Sequence, residues 1–319
     1  MRFTPPEIFN IPVSVLGFGC SGVLGRAGRK QSLSALHAAF DSGINFFDTA
    51  RAYGYGESEA LLGEFLAGRR HQVVLSTKFG ILPVRANWLK NSIKPLARKV
   101  FQFAPSVRRA MVGQIAAQVQ PNQFSVEILR SSFEQSLHKL NTDYVDLLFM
   151  HNATVTAMQQ DDLLAELEKL LRSGKARRVG IAADMVVVEH AITSANPALT
   201  AYQSASNLLD QRLIAAAQSA PGIFIANQPF GGKPNLELIR QRLTSLAADA
   251  ATPHTLREKL GVVDNTTLAD IALNSILIST GIHVVVPSML QPRHVKTNVA
   301  AIEHSRFTPD ELPWLRQQF

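Results

Sequence analysis

The sequence predicts a parallel (β/α)8 barrel, a TIM barrel with long loops at its C-terminal mouth. Three observations predict it. Eight short, mostly unbroken apolar runs alternate with stretches of helical character, as expected of strands covered on both faces. Strict strand-then-helix alternation calls for a parallel sheet, and eight units call for its closure. Asp48, Tyr53, Lys78 and His151 all fall at or just beyond the ends of predicted strands, the edge where a barrel carries its chemistry.

The predicted strands cover residues 13–20, 45–48, 73–78, 144–151, 178–181, 200–204, 222–226 and 283–287. Between the third and fourth, Leu129, Phe133, Leu137 and Leu140 form the apolar stripe of a helix starting near Ser125. After the fourth, Leu163, Leu164, Leu167, Leu170 and Leu171 form another, opened by Asp161–Asp162 and closed by Gly174 beside Arg172 and Lys175. Two long connections interrupt the rhythm, a basic insertion at about 79–124 and a loop at about 231–265 with helix-like material. Both follow strands, so both are expected to overhang the mouth. The whole of 1–319 reads as a single domain.

Apolar residues make up 46% of the chain, enough for a large core, and charged residues only 18%, low for a disordered chain. No secretory signal pattern precedes the first strand and no apolar run reaches the length of a membrane span, so a cytoplasmic protein is expected. A lone cysteine, Cys20, excludes an intrachain disulfide and a cysteine-based zinc site, and no metal is called for. The net charge of +7 is concentrated. Between Phe79 and Val126 there is no acid, but seven cations: Arg85, Lys90, Lys94, Arg98, Lys99, Arg108 and Arg109. The remainder is close to neutral, and no runs of stacking aromatics occur, so nucleic acid is not an expected partner.

Each candidate residue alone has a plain structural explanation. Asp48 could cap a helix, Tyr53 could be a turn aromatic, Lys78 a surface charge and His151 a satisfied strand-end imidazole. Their joint placement at strand ends favours chemistry.

The order and spacing of several short pieces carry a resemblance. They are LGFGC (16–20), GINFFDTARAYG (43–54), STK (76–78), LNTDYVDLLFMH (140–151), GKARRVGI (174–181), YQSASN (202–207), PFGG (229–232) and a last piece running from VVPSML to Ile302. With these the chain resembles the aldo-keto reductase superfamily over nearly its full length. The resemblance implies a catalytic tetrad of Asp48, Tyr53, Lys78 and His151, moving a hydride between a nicotinamide cofactor and an aldehyde, ketone or alcohol without a metal. The residue types suit the task. A carbonyl that takes hydride at carbon needs a proton at oxygen. Tyrosine, with a free pKa of about 10, is a poor acid unless a neighbouring ammonium stabilises its phenolate. Asp48 would hold Lys78 charged, and His151 would orient the substrate oxygen.

For the cofactor, the resemblance implies that Gly19, Cys20, Ser21 and Asp48 line the nicotinamide end and that Gln203 holds the carboxamide. A Ser-Asn pair usual in the family is replaced by Ala182–Ala183, near Asp184, and an aromatic that often stacks on the nicotinamide falls at Asn227. Pro229, Phe230, Gly231, Gly232 and Lys233 form the pyrophosphate loop, where glycines permit close backbone approach. After the last strand come Pro287, then Ser288, Met289 and His294 at positions that surround the 2′-phosphate in NADPH-using relatives, and Asn298, within reach of adenine. Cations are few there. NADP(H) is placed ahead of NAD(H) on Lys233, Arg293 and His294. The glycines of GFGCSG do not form a dinucleotide-fold fingerprint, because the spacing and the acidic follower are absent. Cys20, without an activating base in sequence, reads as a buried inert thiol.

The basic insertion has three readings: a solvated lid on the barrel, a set of cations for an anionic substrate, or a contact of residues 85–120 with an acidic membrane surface or protein partner. Pro95 and Pro105 break any single long helix there. The expected substrate is a small carbonyl or alcohol. The rival reading is a non-catalytic, cofactor-sensing or regulatory protein on the same barrel, favoured by Ala182, Ala183 and Asn227 and opposed by the intact tetrad. Nothing in one chain fixes its oligomeric state.

Overall fold

The computed structural model describes residues 1–5, 7–83 and 119–319. The seven cations of the basic insertion, and the readings attached to them, lie outside the described residues. Eight parallel strands form one sheet: β1 Phe18–Gly19, β2 Phe46–Asp48, β3 Val74–Phe79, β4 Val145–His151, β5 Ala176–Ala182, β6 Leu199–Ala205, β7 Ile223–Asn227 and β8 Ile282–Val286. Each strand pairs with its neighbours in sequence. The sheet closes through a parallel bridge between Leu16 and Val285, with Gly17 N–H donating to the Val285 carbonyl at 2.8 Å and Val285 N–H to that of Val15 at 2.8 Å. The expected (β/α)8 barrel is the observed fold.

Helices follow the strands in turn: α1 Arg29–Asp41, α2 Ser58–Leu66, α3 Val126–Leu140, α4 Asp161–Arg172, α5 Met185–Ser194, α6 Arg212–Ser219, α7 Asn265–Leu277 and α8 Pro292–Glu303. Their ends follow local chemistry. Ser125 caps α3 by accepting from Ile128 N–H, and Asn141 ends it in the left-handed region beside His138 and Lys139. Asp264 caps α7 through Thr267 N–H at 2.8 Å.

The two-residue period of a strand sorts the core into two layers. Phe46, Val74, Leu147, Phe149, Ile225, Val284 and Val286 fill the barrel interior. Their neighbours Phe47, Leu75, Leu148, Met150, Phe224 and Val285 face the helices. An antiparallel pair, Phe3–Thr4 with Val13–Ser14, precedes the barrel, and the segment between them sends Phe9 into the interior layer. The Phe9 ring meets Phe46 edge-on at 6.2 Å, at the N-terminal end of β2 and so opposite the mouth.

Three differences from the sequence reading have physical causes. The first predicted strand, 13–20, divides: Val13–Ser14 joins the antiparallel pair, and only Phe18–Gly19 belongs to the barrel sheet. The fifth begins earlier than 178, because Ala176 and Arg177 extend the strand and the exposed Arg177 pairs with Asp146 at 2.8 Å. The 231–265 connection, expected as a loop with helix-like material, is mostly helical, Gly232–Ala248 and His254–Leu260. Its Ile239, Leu243, Leu256 and Leu260 share an apolar cluster with Leu268 and Ile271 of α7 and with Leu312 and Leu315 of the helix Glu311–Gln317. Beside the other insertion, Leu82–Pro83 and Val119–Gln120 pair antiparallel.

Candidate active site

Lys78 is the centre of the site. It is the fifth residue of β3, only 2% exposed, and points into the barrel mouth rather than lying on the surface. Its ammonium donates to Asp48 Oδ2 at 2.6 Å and to the Thr49 carbonyl at 2.9 Å. Asp48, last in β2 and itself buried, accepts a second bond from Ser76 Oγ at 2.5 Å. Ser76 stands two residues before Lys78, so both face the same side of the strand. Tyr53 covers this pair: the Lys78 Nζ lies 5.1 Å from its ring centroid. His151, at the end of β4, meets the Tyr53 ring edge-on with centroids 5.7 Å apart. The structure therefore brings together all four residues singled out in the sequence.

The turn carrying Tyr53 is held from below. Gly54 and Tyr55 both have positive φ, 58° and 61°. A Cβ on Gly54 would come within 2.5 Å of the Val23 carbonyl, so glycine is required there. Beneath the turn, Arg51 is buried and donates to Gln135 Oε1 at 2.6 Å on α3, while Glu59 of α2 accepts from Thr77 Oγ1 at 2.7 Å. Arg51 and Glu59 approach to 3.8 Å. Sequence reasoning did not find these two supports. The available signal was alternation along β3, which places Thr77 opposite Ser76 and Lys78.

The electrostatics follow from burial. Desolvation acts most strongly on Lys78 and pulls its pKa down, but the charges of Asp48 and Tyr53 and their hydrogen bonds outweigh it, so the ammonium titrates above its ordinary value. For Tyr53 burial wins: it raises the phenol above its usual pKa although Lys78 pulls the other way. Tyr53 is thus a neutral, proton-bearing phenol at pH 7. Burial, then the charge of Lys78, lowers His151 to about 3, so its imidazole is neutral there. Burial, reinforced by Asp48, pushes the Cys20 thiol up, with Lys78 offsetting only part. Cys20 is fully buried and is an inert thiol.

Around this centre lie buried polar atoms without a partner: His151 Nδ1, Gln203 Nε2 on β6 and Asn227 Oδ1 at the end of β7. Buried orphaned groups of this kind fit a ligand with donors and acceptors of its own, as a nicotinamide carboxamide has. Ala182 pairs with His151 on one side and Gln203 on the other, so the missing Ser-Asn pair falls between two of these groups. Asp184 is exposed at the start of α5 and makes no cap bond. Gly19 is buried and its N–H donates to the Pro287 carbonyl at 3.0 Å, while Ser21 is exposed in the turn that follows. Pro229 and Phe230 lead into Gly231 and Gly232, both with positive φ (68° and 78°), and Lys233 is exposed beside them. Ser288 and His294 are exposed on the rim after β8, and Asn298 is buried on α8. Among the described residues no hydrogen bond joins Lys233, Ser288 or His294 to the tetrad. Nor, among them, do three or more His, Cys, Asp or Glu side chains meet to hold a metal ion. No helix among the described residues is long and apolar enough to cross a membrane.

A parallel (β/α)8 barrel with a buried Asp–Lys pair under a tyrosine and a histidine at its mouth defines a class before any comparison is made. The sequence profile of the aldo/keto reductase family matches residues 15–317, and the chain belongs to that family. It is 31% identical over 192 residues to norsolorinic acid reductase of Aspergillus flavus, covering 56% of this chain and 41% of that protein. It is 32% identical over 155 residues to 6-dehydroglucose reductase of Novosphingobium aromaticivorans, covering 46% of this chain and 39% of that one. The matched stretch thus spans about two fifths of these relatives. Among solved structures, the holo form of an aldo-keto reductase from Bacillus halodurans superposes with a TM-score of 0.70 at 20% identity, over 100% of this chain and 96% of that one. An aldo-keto reductase from Klebsiella pneumoniae in complex with NADP and acetate gives 0.67 at 20% identity, over 98% and 93%. At these identities the likeness shows the fold.

Proposed function

We propose that the protein is an NAD(P)(H)-dependent oxidoreductase that interconverts an aldehyde or ketone and an alcohol, with Tyr53 as general acid/base and NADP(H) favoured over NAD(H). The reading takes the chain as one barrel domain acting on a small molecule in the cytoplasm. The observation that carries it is the burial of Lys78 between Asp48 and Tyr53. A buried ammonium is costly unless it is paired and hydrogen-bonded. Placing it beneath a phenol has a chemical use that packing alone does not require.

The bound nicotinamide would supply or accept the hydride. Gln203 and Asn227 would meet its carboxamide with their unpartnered atoms, and the Gly231–Gly232 turn would approach the pyrophosphate. In the reductive direction Tyr53 gives its proton to the oxygen of the carbonyl substrate as negative charge develops there. Lys78, held charged by Asp48, stabilises the phenolate left behind. His151, neutral at pH 7, offers an N–H to the same oxygen and fixes its approach to Tyr53. In the oxidative direction Tyr53 first releases its own proton, a loss that the Lys78 ammonium eases, and the phenolate then takes that of the alcohol. The NADP complex of the Klebsiella relative supports a nicotinamide cofactor, as does the family.

The test is Tyr53→Phe, which keeps the ring and removes the proton. Turnover of a generic aldehyde is expected to fall about 100-fold or more, while cofactor affinity, read by fluorescence titration, stays within about twofold. Full turnover in the variant would remove Tyr53 from the proton step. The replacement of the usual Ser-Asn pair by Ala182–Ala183 favours a second reading, a cofactor-sensing protein. Tight NADPH binding by the wild type, with no turnover of any carbonyl in a broad panel, would select it.

A further inference from the structure

Resting on the nicotinamide-cofactor reading, we propose that Arg26, delivered from the connection between β1 and α1, is the cation that recognises the 2′-phosphate of NADP(H) and sets its preference over NAD(H). The stretch after β8 that should surround this group holds Ser288, Met289 and His294. Met289 is buried, and His294 titrates below its ordinary value through burial and then the charge of Arg293, so it is neutral at pH 7. The dianion would meet little charge from these three, and of the cations favoured in the sequence only the exposed Arg293 stands beside them.

The structure brings a cation to the place from another part of the chain. A guanidinium nitrogen of Arg26 donates to Ser288 Oγ at 3.4 Å, across 262 residues of sequence. No carboxylate pairs with Arg26 among the described residues, whereas its neighbour Arg29 is taken by Glu64. Arg26 is exposed, so its fork is free to turn toward a ligand. Its backbone is fixed: Arg26 N–H donates to the Gly22 carbonyl at 3.0 Å, and Gln31 Nε2 reaches across to the Leu290 carbonyl at 2.9 Å. Both loops are also stitched where Gly19 N–H meets the Pro287 carbonyl. Between them opens a pocket of about 680 Å³ lined by Arg26, Lys30 and Pro292. A planar guanidinium beside a serine hydroxyl suits a phosphate monoester, which accepts two parallel N–H bonds and an O–H bond. The 2′-hydroxyl of NAD(H) gains little from the same groups.

Wild type, Arg26→Gln and Arg26→Lys are titrated with NADPH and NADH by fluorescence, and with adenosine 2′-monophosphate and 5′-monophosphate by calorimetry. Arg26→Gln is expected to weaken NADPH and the 2′-monophosphate by about tenfold or more, leaving NADH and the 5′-monophosphate unchanged. Arg26→Lys should fall between, and the NADPH advantage should shrink with added salt. Equal weakening of NADPH and NADH in Arg26→Gln, or no weakening of either, overturns the assignment. A wild type that binds both dinucleotides equally overturns it too, while leaving the reductase reading in place. Failure to bind either dinucleotide removes both.

Discussion

At the scale of single residues, the balance of charge in the mouth makes a prediction through His151. Its folded-state pKa is depressed from 6.5 to about 3 by burial and by Lys78. Between those values the unfolded chain binds a proton there that the folded chain refuses, so stability rises with pH across the window. The contribution of neutral His151 is present above about pH 6.5 and is lost as pH falls toward 3. Urea midpoints at pH 4.5 and 7.5 should therefore differ more in the wild type than in His151→Asn, and an equal difference in both would count against a buried neutral imidazole. The four tetrad residues were legible in sequence because each lies at or just beyond the end of a strand, and strand ends of a barrel share one mouth. Their supports were not. Arg51 with Glu59, and Arg26 with Ser288, join residues far apart or on different elements, and nothing local in the chain marks such a meeting.

Among the elements, β3, β4 and β5 depend on one acid at the barrel end opposite the site. Asp146 is 2% exposed, accepts from Leu75 N–H at 2.9 Å, and pairs with Arg70 and Arg177, each at 2.8 Å. The two guanidinium groups lie on the Tyr144 ring at 4.0 and 4.1 Å. Asp146→Ala leaves a buried amide unbonded and two adjacent cations uncompensated. It is expected to cost about 3 kcal/mol of stability, with cofactor affinity little changed; a loss below 0.5 kcal/mol by chemical denaturation would mean that this cluster only decorates the strand ends. The same residues explain why β5 was read too short. Arg177 interrupts the apolar pattern before Arg178, and only the partner strand, from Val145 opposite Ala176, reveals that the ladder starts earlier. Helices α3 and α4 were readable because stripe and end signals agree within one segment.

For the molecule as a whole, eight alternations of strand and helix were enough to specify a closed barrel, since few topologies bury both faces of a parallel sheet. The helical packing of 231–265 was not legible, because its apolar residues face α7 and the last helix rather than the strands it follows. If the orphaned atoms of His151, Gln203 and Asn227 gain partners from a dinucleotide, its binding should stabilise the whole barrel. Saturation at 100 times Kd corresponds to about 2.7 kcal/mol, visible as a rise of several degrees in Tm with NADPH; an unchanged Tm with NADPH and with NADH would speak against a dinucleotide site. The bridge from Leu16 to Val285 has a further consequence. It joins partners 269 positions apart, on strands so short that few bonds hold them. A seam held by so few bonds is the weakest part of the closed sheet, so hydrogen exchange should begin where those two edges meet.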